Sequence, residues 1–235
     1  MKFVILNNSI EIQKTMMVDL KFLKKEGMSV PYFIEEPKNA KKRIIFIGNS
    51  LTIHEPVEAL GWNKKCGMAA TDANHDYAHL VCRKLSEIYG EIAFSGLCCR
   101  DWEKEYTNDK KLAVLMDFAR EFNPDIIVLR IGENFNREYL NKGVDSYIGF
   151  SSLVKEAKRI SKEVYITSMF WTEDLLDNAV KKVAKEENVV FIPLDDLIKN
   201  KENMALGQYE NQDVCKHPSD IGMKRIAERI LKAIL

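Results

Sequence analysis

The stretch Arg43-Ile-Ile-Phe-Ile-Gly-Asn-Ser-Leu-Thr52 decides the fold. Four consecutive apolar residues with no polar alternation mark a strand buried on both faces, as in a parallel sheet covered by helices. The run stops abruptly at Gly48-Asn49-Ser50. A hydroxyl just past the end of a core strand is held rigidly at the rim of the sheet, where α/β proteins place their binding and reactive groups.

Working outward, the chain alternates short apolar runs with helical patterns. Strands are expected at 43–47, 91–95, 125–131, 163–168 and 189–192. Apolar residues at 3- and 4-residue intervals predict helices over 72–89, 109–122, 144–161, 174–187 and 219–235, with Ser219 or Asp220 as the last N-cap. Asn123-Pro124-Asp125 is a helix stop placed directly before a strand. The reading is a three-layer α/β/α sandwich on a five-stranded parallel sheet, spanning residues 41–235. Residues 1–40 read differently. Phe3–Leu6, Met16–Leu23 and Val30–Ile34 are short extended stretches broken by Asn7-Asn8, Gly27 and Pro31, and predict a small N-terminal β appendage.

Bulk properties exclude several classes. Thirty-five basic and thirty-five acidic residues cancel, so no field draws nucleic acid or an anionic membrane to the chain. No apolar run approaches the ~20 residues of a membrane span, and the four-residue run near the N-terminus is too short for a secretory signal. Five cysteines, two of them adjacent at Cys98-Cys99, form no paired framework and read as reduced thiols. A cytoplasmic location is expected. His75 and His79 lie four apart on a helical pattern, but no third ligand follows, so no metal is expected. Oligomeric state is not legible.

In a parallel sheet the loops after the strand C-termini share one edge. Here they hold Gly48-Asn49-Ser50, Ser95-Gly96-Leu97 and Gly132-Glu133-Asn134, and His217 precedes the last helix. Acyl transfer needs a nucleophile, a base and donors aimed at the developing oxyanion. Ser50 can supply the oxygen and its own N–H. Gly96 can offer an unshielded N–H, the Asn134 amide a third donor, and His217 can take the serine proton. Taken singly, Ser50 reads equally well as a helix cap and Asn134 as a turn residue; it is their joint occurrence that points to chemistry. His54, on the turn after Ser50, and Trp171, after the fourth strand, are candidates with Asn49 for the walls of a pocket.

These segments resemble the SGNH (GDSL) hydrolases. Ile47-Gly-Asn-Ser-Leu-Thr52 is similar to the family's first block, Gly96 to the second, Gly132-Glu-Asn134 to the third and His217-Pro-Ser-Asp220 to the last, together spanning 43–235. The stretch Gly61-Trp-Asn-Lys-Lys-Cys-Gly-Met-Ala-Ala70, with Asp76-Tyr77, also resembles a carbohydrate-esterase-like branch. The resemblance implies a flavodoxin-like sandwich and a cofactor-independent serine esterase with Ser50 as nucleophile, His217 as base, and Ser50, Gly96 and Asn134 as oxyanion hole. The expected substrate is a small-molecule ester, with small acyl groups such as acetyl on a carbohydrate or similar alcohol. A lipase, thioesterase or lysophospholipase with the same machinery, or a catalytically weak binding protein on this scaffold, are the alternatives. Two positions depart from the pattern. Asn49 stands where the family has Asp. The triad acid normally lies three residues before the histidine, which here is Val214; Asp213 lies four before. Asp213 serves if the loop bulges; otherwise Glu210, a backbone carbonyl or a water orients the ring, leaving a Ser–His dyad.

Overall fold

The computed structural model describes residues 18–235. The stretch Phe3–Leu6, the Asn7-Asn8 break, and Met16 and Met17 of the predicted 16–23 stretch lie outside them. The strands are β1 (Lys21–Lys25), β2 (Met28–Glu35), β3 (Lys42–Gly48), β4 (Ile92–Cys98), β5 (Ile126–Arg130), β6 (Glu163–Thr167) and β7 (Val190–Ile192). The helices are α1 (Tyr77–Tyr89), α2 (Arg100–Glu103), α3 (Asp109–Phe122), α4 (Arg137–Asn141), α5 (Ser146–Ile160), α6 (Asp174–Glu186), α7 (Gln212–Cys215) and α8 (Asp220–Ile234).

The strands form one sheet in the order β1-β2-β4-β3-β5-β6-β7. The five strands from β4 across to β7 are parallel. The sheet nevertheless has seven strands among the described residues, where the sequence predicted five. β2 pairs antiparallel with β4, Phe33 opposite Gly96, and β1 pairs with β2. The extended reading of Val30–Ile34 holds, but this strand continues the main sheet. Its apolar residues Val30 and Phe33 are buried like those of the other strands.

β3 shows why the sequence makes three layers. Side chains alternate across a strand, so Ile44 and Phe46 join one core with Tyr77 and Val81 of α1 and Ile226 of α8. Ile45 and Ile47 join the opposite core with Leu115 of α3, Val154 of α5 and Val180 of α6. All four β3 side chains are fully buried, each contributing roughly 1.5–3 kcal/mol. Local signals end the helices as expected. Asn123 takes a left-handed conformation (φ 53°) after α3, and Ser219 caps α8 by accepting the Gly222 N–H at 3.2 Å. α1 starts at Tyr77, later than the predicted 72, because Asp72 and Asp76 each cap a separate turn.

The topology fixes where a site can form. From β3 the chain crosses to β4 on one side and then to β5 on the other. The crevice beyond the C-terminal end of β3 is therefore a topological switch point, and Ser50 lies there.

Candidate active site

The turn after β3 is built on Gly48. A Cβ there would lie 2.0 Å from Thr52 Oγ1 and 2.9 Å from the Arg130 carbonyl oxygen, so no larger residue fits. The chain then doubles back, with the N–H groups of Thr52 and Ile53 donating to the Asn49 carbonyl. Thr52 is tied in turn to the Tyr77 hydroxyl at 2.6 Å. Cys66-Gly-Met-Ala-Ala70 braces this turn from below: the Met68 N–H donates to the Ser50 carbonyl at 2.7 Å. The Ser50 N–H makes no hydrogen bond among the described residues and is left as a donor.

His217 reaches Ser50 from the loop between α7 and α8. Ser50 Oγ lies 3.0 Å from His217 Nε2. The other ring nitrogen settles the tautomer. Nδ1 lies 2.7 Å from the Asp213 main-chain oxygen, which can only accept, so Nδ1 carries the hydrogen and Nε2 is free to accept the Ser50 proton. The Asp213 carboxylate does not take part. It faces solvent and pairs with Lys216 at 3.0 Å. The expected bulge is absent because residues 212–215 form the helical turn α7, which directs the carbonyl of residue 213 towards residue 217 and its side chain outward. Burial pushes the His217 ring down to about 4, with His54 and Arg130 adding to the effect against the pull of the Asp213 carbonyl. The imidazole is thus neutral at ordinary pH. The Trp171 ring stands edge-on to it, centroids 4.9 Å apart.

Gly96 is not at this edge. It lies inside β4, between Phe33 of β2 and Phe46 of β3. Cys98 is the β4 residue level with Gly48, which leaves Gly96 about 7 Å lower along the strand. Its lack of a side chain serves packing: a Cβ would come within 2.4 Å of the Phe33 ring. The apolar run of β4 extends three residues beyond the predicted end at Ser95 and puts the strand's terminus at Cys98.

Asn134 does lie at the edge, and around it is a buried polar network the sequence reading missed. Its amide nitrogen donates to Glu103 Oε2 at 2.8 Å, and the Gly132 N–H donates to Glu103 Oε1 at 2.5 Å. The Asn49 amide nitrogen donates to Glu133 Oε2 at 2.7 Å and to Glu103 Oε1 at 3.3 Å. Arg130 donates to Asn49 Oδ1 at 2.8 Å and pairs with Glu133 Oε1 at 2.7 Å. Glu133 Oε1 also accepts the Phe170 N–H at 3.0 Å. Asn49 is therefore not a pocket wall, as its neighbours had implied. It is fully buried and joins the turn that carries Ser50 to the Gly132-Glu133-Asn134 loop. Arg130 left a signal in the sequence: a charge closing an apolar strand must be paired inside. Glu103 left none, since Arg100-Asp-Trp-Glu-Lys-Glu105 looks like any exposed helical turn. Burial, then the charge of Glu133, pushes Glu103 up to about 7, against the N–H donors around it.

His54 is buried beside the turn, its Nδ1 donating to the Glu55 carbonyl at 2.6 Å and its Nε2 facing Arg100 at 3.1 Å. Burial holds it below the usual histidine range. His79 is engaged elsewhere, between Asp76 at 2.7 Å and Glu35 at 3.1 Å. The five cysteines are buried and unpaired. No described helix is long and apolar enough to cross a membrane.

No protein-family profile matches this chain, and no curated protein does. Solved structures do. It is similar to the salicylyl-acyltransferase SsfX3 of a tetracycline biosynthetic pathway, with TM-score 0.55 and 16% identity over 85% of this chain and 56% of that one. It is similar to a GDSL-like lipase from Parabacteroides merdae, with TM-score 0.53 and 16% identity over 83% and 95% of the two chains. A family two carbohydrate esterase from Cellvibrio japonicus matches with TM-score 0.50 and 16% identity over 88% and 64%. The chain thus has the α/β fold shared by GDSL-type lipases, carbohydrate esterases and this acyltransferase.

Proposed function

We propose that the chain is a serine hydrolase of the SGNH (GDSL) type, acting on carboxylic esters through an acyl-enzyme on Ser50. The observation that carries this is the 3.0 Å approach of Ser50 Oγ to a His217 Nε2 whose tautomer is fixed by the Asp213 carbonyl. Ser50 Oγ attacks the ester carbonyl as its proton passes to Nε2. The oxyanion is met by the Ser50 N–H and the Asn134 amide. The tetrahedral species collapses, the C–O bond to the alcohol breaks, and the alcohol leaves with the proton from Nε2. Water then attacks the acyl-enzyme, giving its proton to His217, and the carboxylic acid leaves as Ser50 recovers its hydrogen. Asp213 contributes a carbonyl, so the machinery is a Ser–His dyad with a backbone orienter.

The substrate reading is a small acyl group, acetyl foremost, on a carbohydrate or similar alcohol. The likeness of Gly61–Ala70 to carbohydrate-esterase-like sequences and the fold shared with a carbohydrate esterase support it. The missing carboxylate at His217 favours a second reading, a slow hydrolase acting chiefly as a binding protein. Initial rates on activated esters of C2 to C12 acids, for wild type and Ser50→Ala, test both. The esterase reading expects a Ser50-dependent rate highest at C2; equal rates for the two proteins leave the binding reading.

A further inference from the structure

Glu103 sits where a carboxylate is hard to keep. It is fully buried and forms no ion pair among the described residues, since Arg130 pairs with Glu133. Each hydrogen bond it receives comes from one of the two loops that would run the chemistry: the Gly132 N–H, the Asn134 amide and, at longer range, the Asn49 amide. Burying an unpaired charge is unfavourable, so an acceptor at this point has a use beyond filling space.

The use follows from the shape of an asparagine amide. Its oxygen and its NH2 are nearly the same size and exchange by rotation about the last side-chain torsion. Which end points where is decided by partners alone. An ionised carboxylate accepts only, so it selects the NH2 end. A glutamine, hydroxyl or water could satisfy either end.

We infer that the Glu103 carboxylate is a positioning residue for the Ser50 reaction: by accepting one Asn134 amide N–H while gripping the Gly132 N–H, it fixes the orientation in which Asn134 turns its second N–H, not its carbonyl oxygen, to the oxyanion. This rests on the proposed roles of Ser50 and Asn134. Asn49 completes the device. Its oxygen accepts from Arg130 while its nitrogen donates to both Glu133 and Glu103. An aspartate could do only the first. The departure from Asp at this position and the buried Glu103 are therefore two parts of one arrangement. The charged and titratable groups around Glu103 are Glu133, Arg130 and the thiols of Cys98 and Cys99. Burial, then Glu133, holds the Glu103 carboxyl high, and the three N–H donors hold it low. A protonated Glu103 would point an O–H among donors and release the amide.

The test is a double-mutant cycle on an activated acetyl ester with Glu103→Gln, Asn134→Ala and the pair. Glu103→Gln lets Asn134 flip its oxygen towards the new amide. The expected loss is roughly 10²–10³-fold in kcat with KM nearly unchanged, as for removal of one oxyanion donor. The double variant should be no slower than Asn134→Ala alone. Losses that multiply, or a Glu103→Gln kcat equal to wild type, overturn the inference. A second measurement uses wild type only, in case Glu103→Gln does not fold. The Asn134 side-chain 15N signal, assigned by its absence in Asn134→Ala, and the Glu103 carboxyl 13C signal should move together with pH. An Asn134 signal unmoved through the Glu103 ionisation overturns the inference. Wild type no faster than Ser50→Ala would defeat the esterase reading separately, and the resonance measurement would still decide the orientation.

Discussion

The His217 Nδ1–H donates to the main-chain oxygen of Asp213 at 2.7 Å while the carboxylate of the same residue turns away to Lys216 at 3.0 Å. The residue that looks like a triad acid is thus an orienter through its backbone. Replacing its side chain leaves that bond in place. Asp213→Ala should keep kcat on an activated acetyl ester within about threefold of wild type, whereas a catalytic carboxylate would cost about 10⁴-fold. Initial-rate measurement on the two proteins decides between them.

The acid limb of the pH profile separates two ionisations. His217 must be neutral to act as base, and burial holds it down at about 4. Glu103 must be ionised to hold Asn134, and burial with Glu133 holds it up at about 7. The groups facing His217 are Trp171, His54, Arg130 and Asp213. Wild-type kcat/KM should therefore rise with an apparent pKa near 7. In Glu103→Gln the limb should move down towards the His217 value, at a lower plateau. Profiles from about pH 4 to 9 on both proteins check this.

Stability responds to the same carboxyl with the opposite sign. Its folded-state value lies above the ordinary 4.5, so the native state holds a proton that the unfolded chain has released. That contribution is fully present below 4.5 and is lost as pH rises through about 7. His217, held low, works the other way in wild type, but it is common to both proteins. The Tm of wild type minus that of Glu103→Gln should fall as pH rises across this window. A difference that stays flat would mean that Glu103 does not titrate there.

Asn49 offers a test on charge balance. Arg130 already serves Glu133, with Glu103 close by. Asn49→Asp would add a third carboxylate beside a single guanidinium and remove both amide donors. The expected loss is roughly 3 kcal/mol or more in denaturant unfolding. Adding Glu103→Gln should recover part of it, because one of the three charges is then removed and the new amide can donate to the introduced carboxylate. This is counter to what the family resemblance alone suggests, where aspartate is the ordinary residue.

The sequence carried those features that rest on periodicity and on strand ends. The β3 run, the existence of the long amphipathic helices and the positions of Ser50 and His217 along the chain are set by local pattern and chain order, and the structure brings these two side chains within 3.0 Å. The seven-strand count was hidden because Val30–Ile34 looks the same whether it extends the sheet or stands apart; only the pairing of Phe33 with Gly96 tells. A backbone carbonyl was among the possible orienters of His217, but that it is the one of Asp213 was hidden because backbone direction depends on α7, a four-residue turn with no periodic signature. Glu103 was hidden because burial of a charged residue on a short helix comes from the loops that close over it, 29 to 54 residues away along the chain.

Gly96 carries the remaining contrast between a likeness of motif and a place in the fold. Its pattern reads as a loop glycine with a free N–H, yet it is paired on both sides within β4. Its Cβ position is closed by the Phe33 ring, at 2.4 Å from Cε1 and 3.1 Å from Cδ1. That ring is itself stacked on His79 at 5.1 Å and set edge-on to Phe94 at 5.6 Å, so it has little room to move. Gly96→Ala should destabilise the protein by about 1–3 kcal/mol through overpacking. Per folded molecule, kcat should be unchanged, because the strain falls between β2 and α1 rather than at Ser50. Denaturant unfolding combined with active-site titration of Ser50 separates the two quantities. A kcat that falls roughly 10²-fold in fully folded protein would place the Gly96 N–H in the oxyanion hole after all.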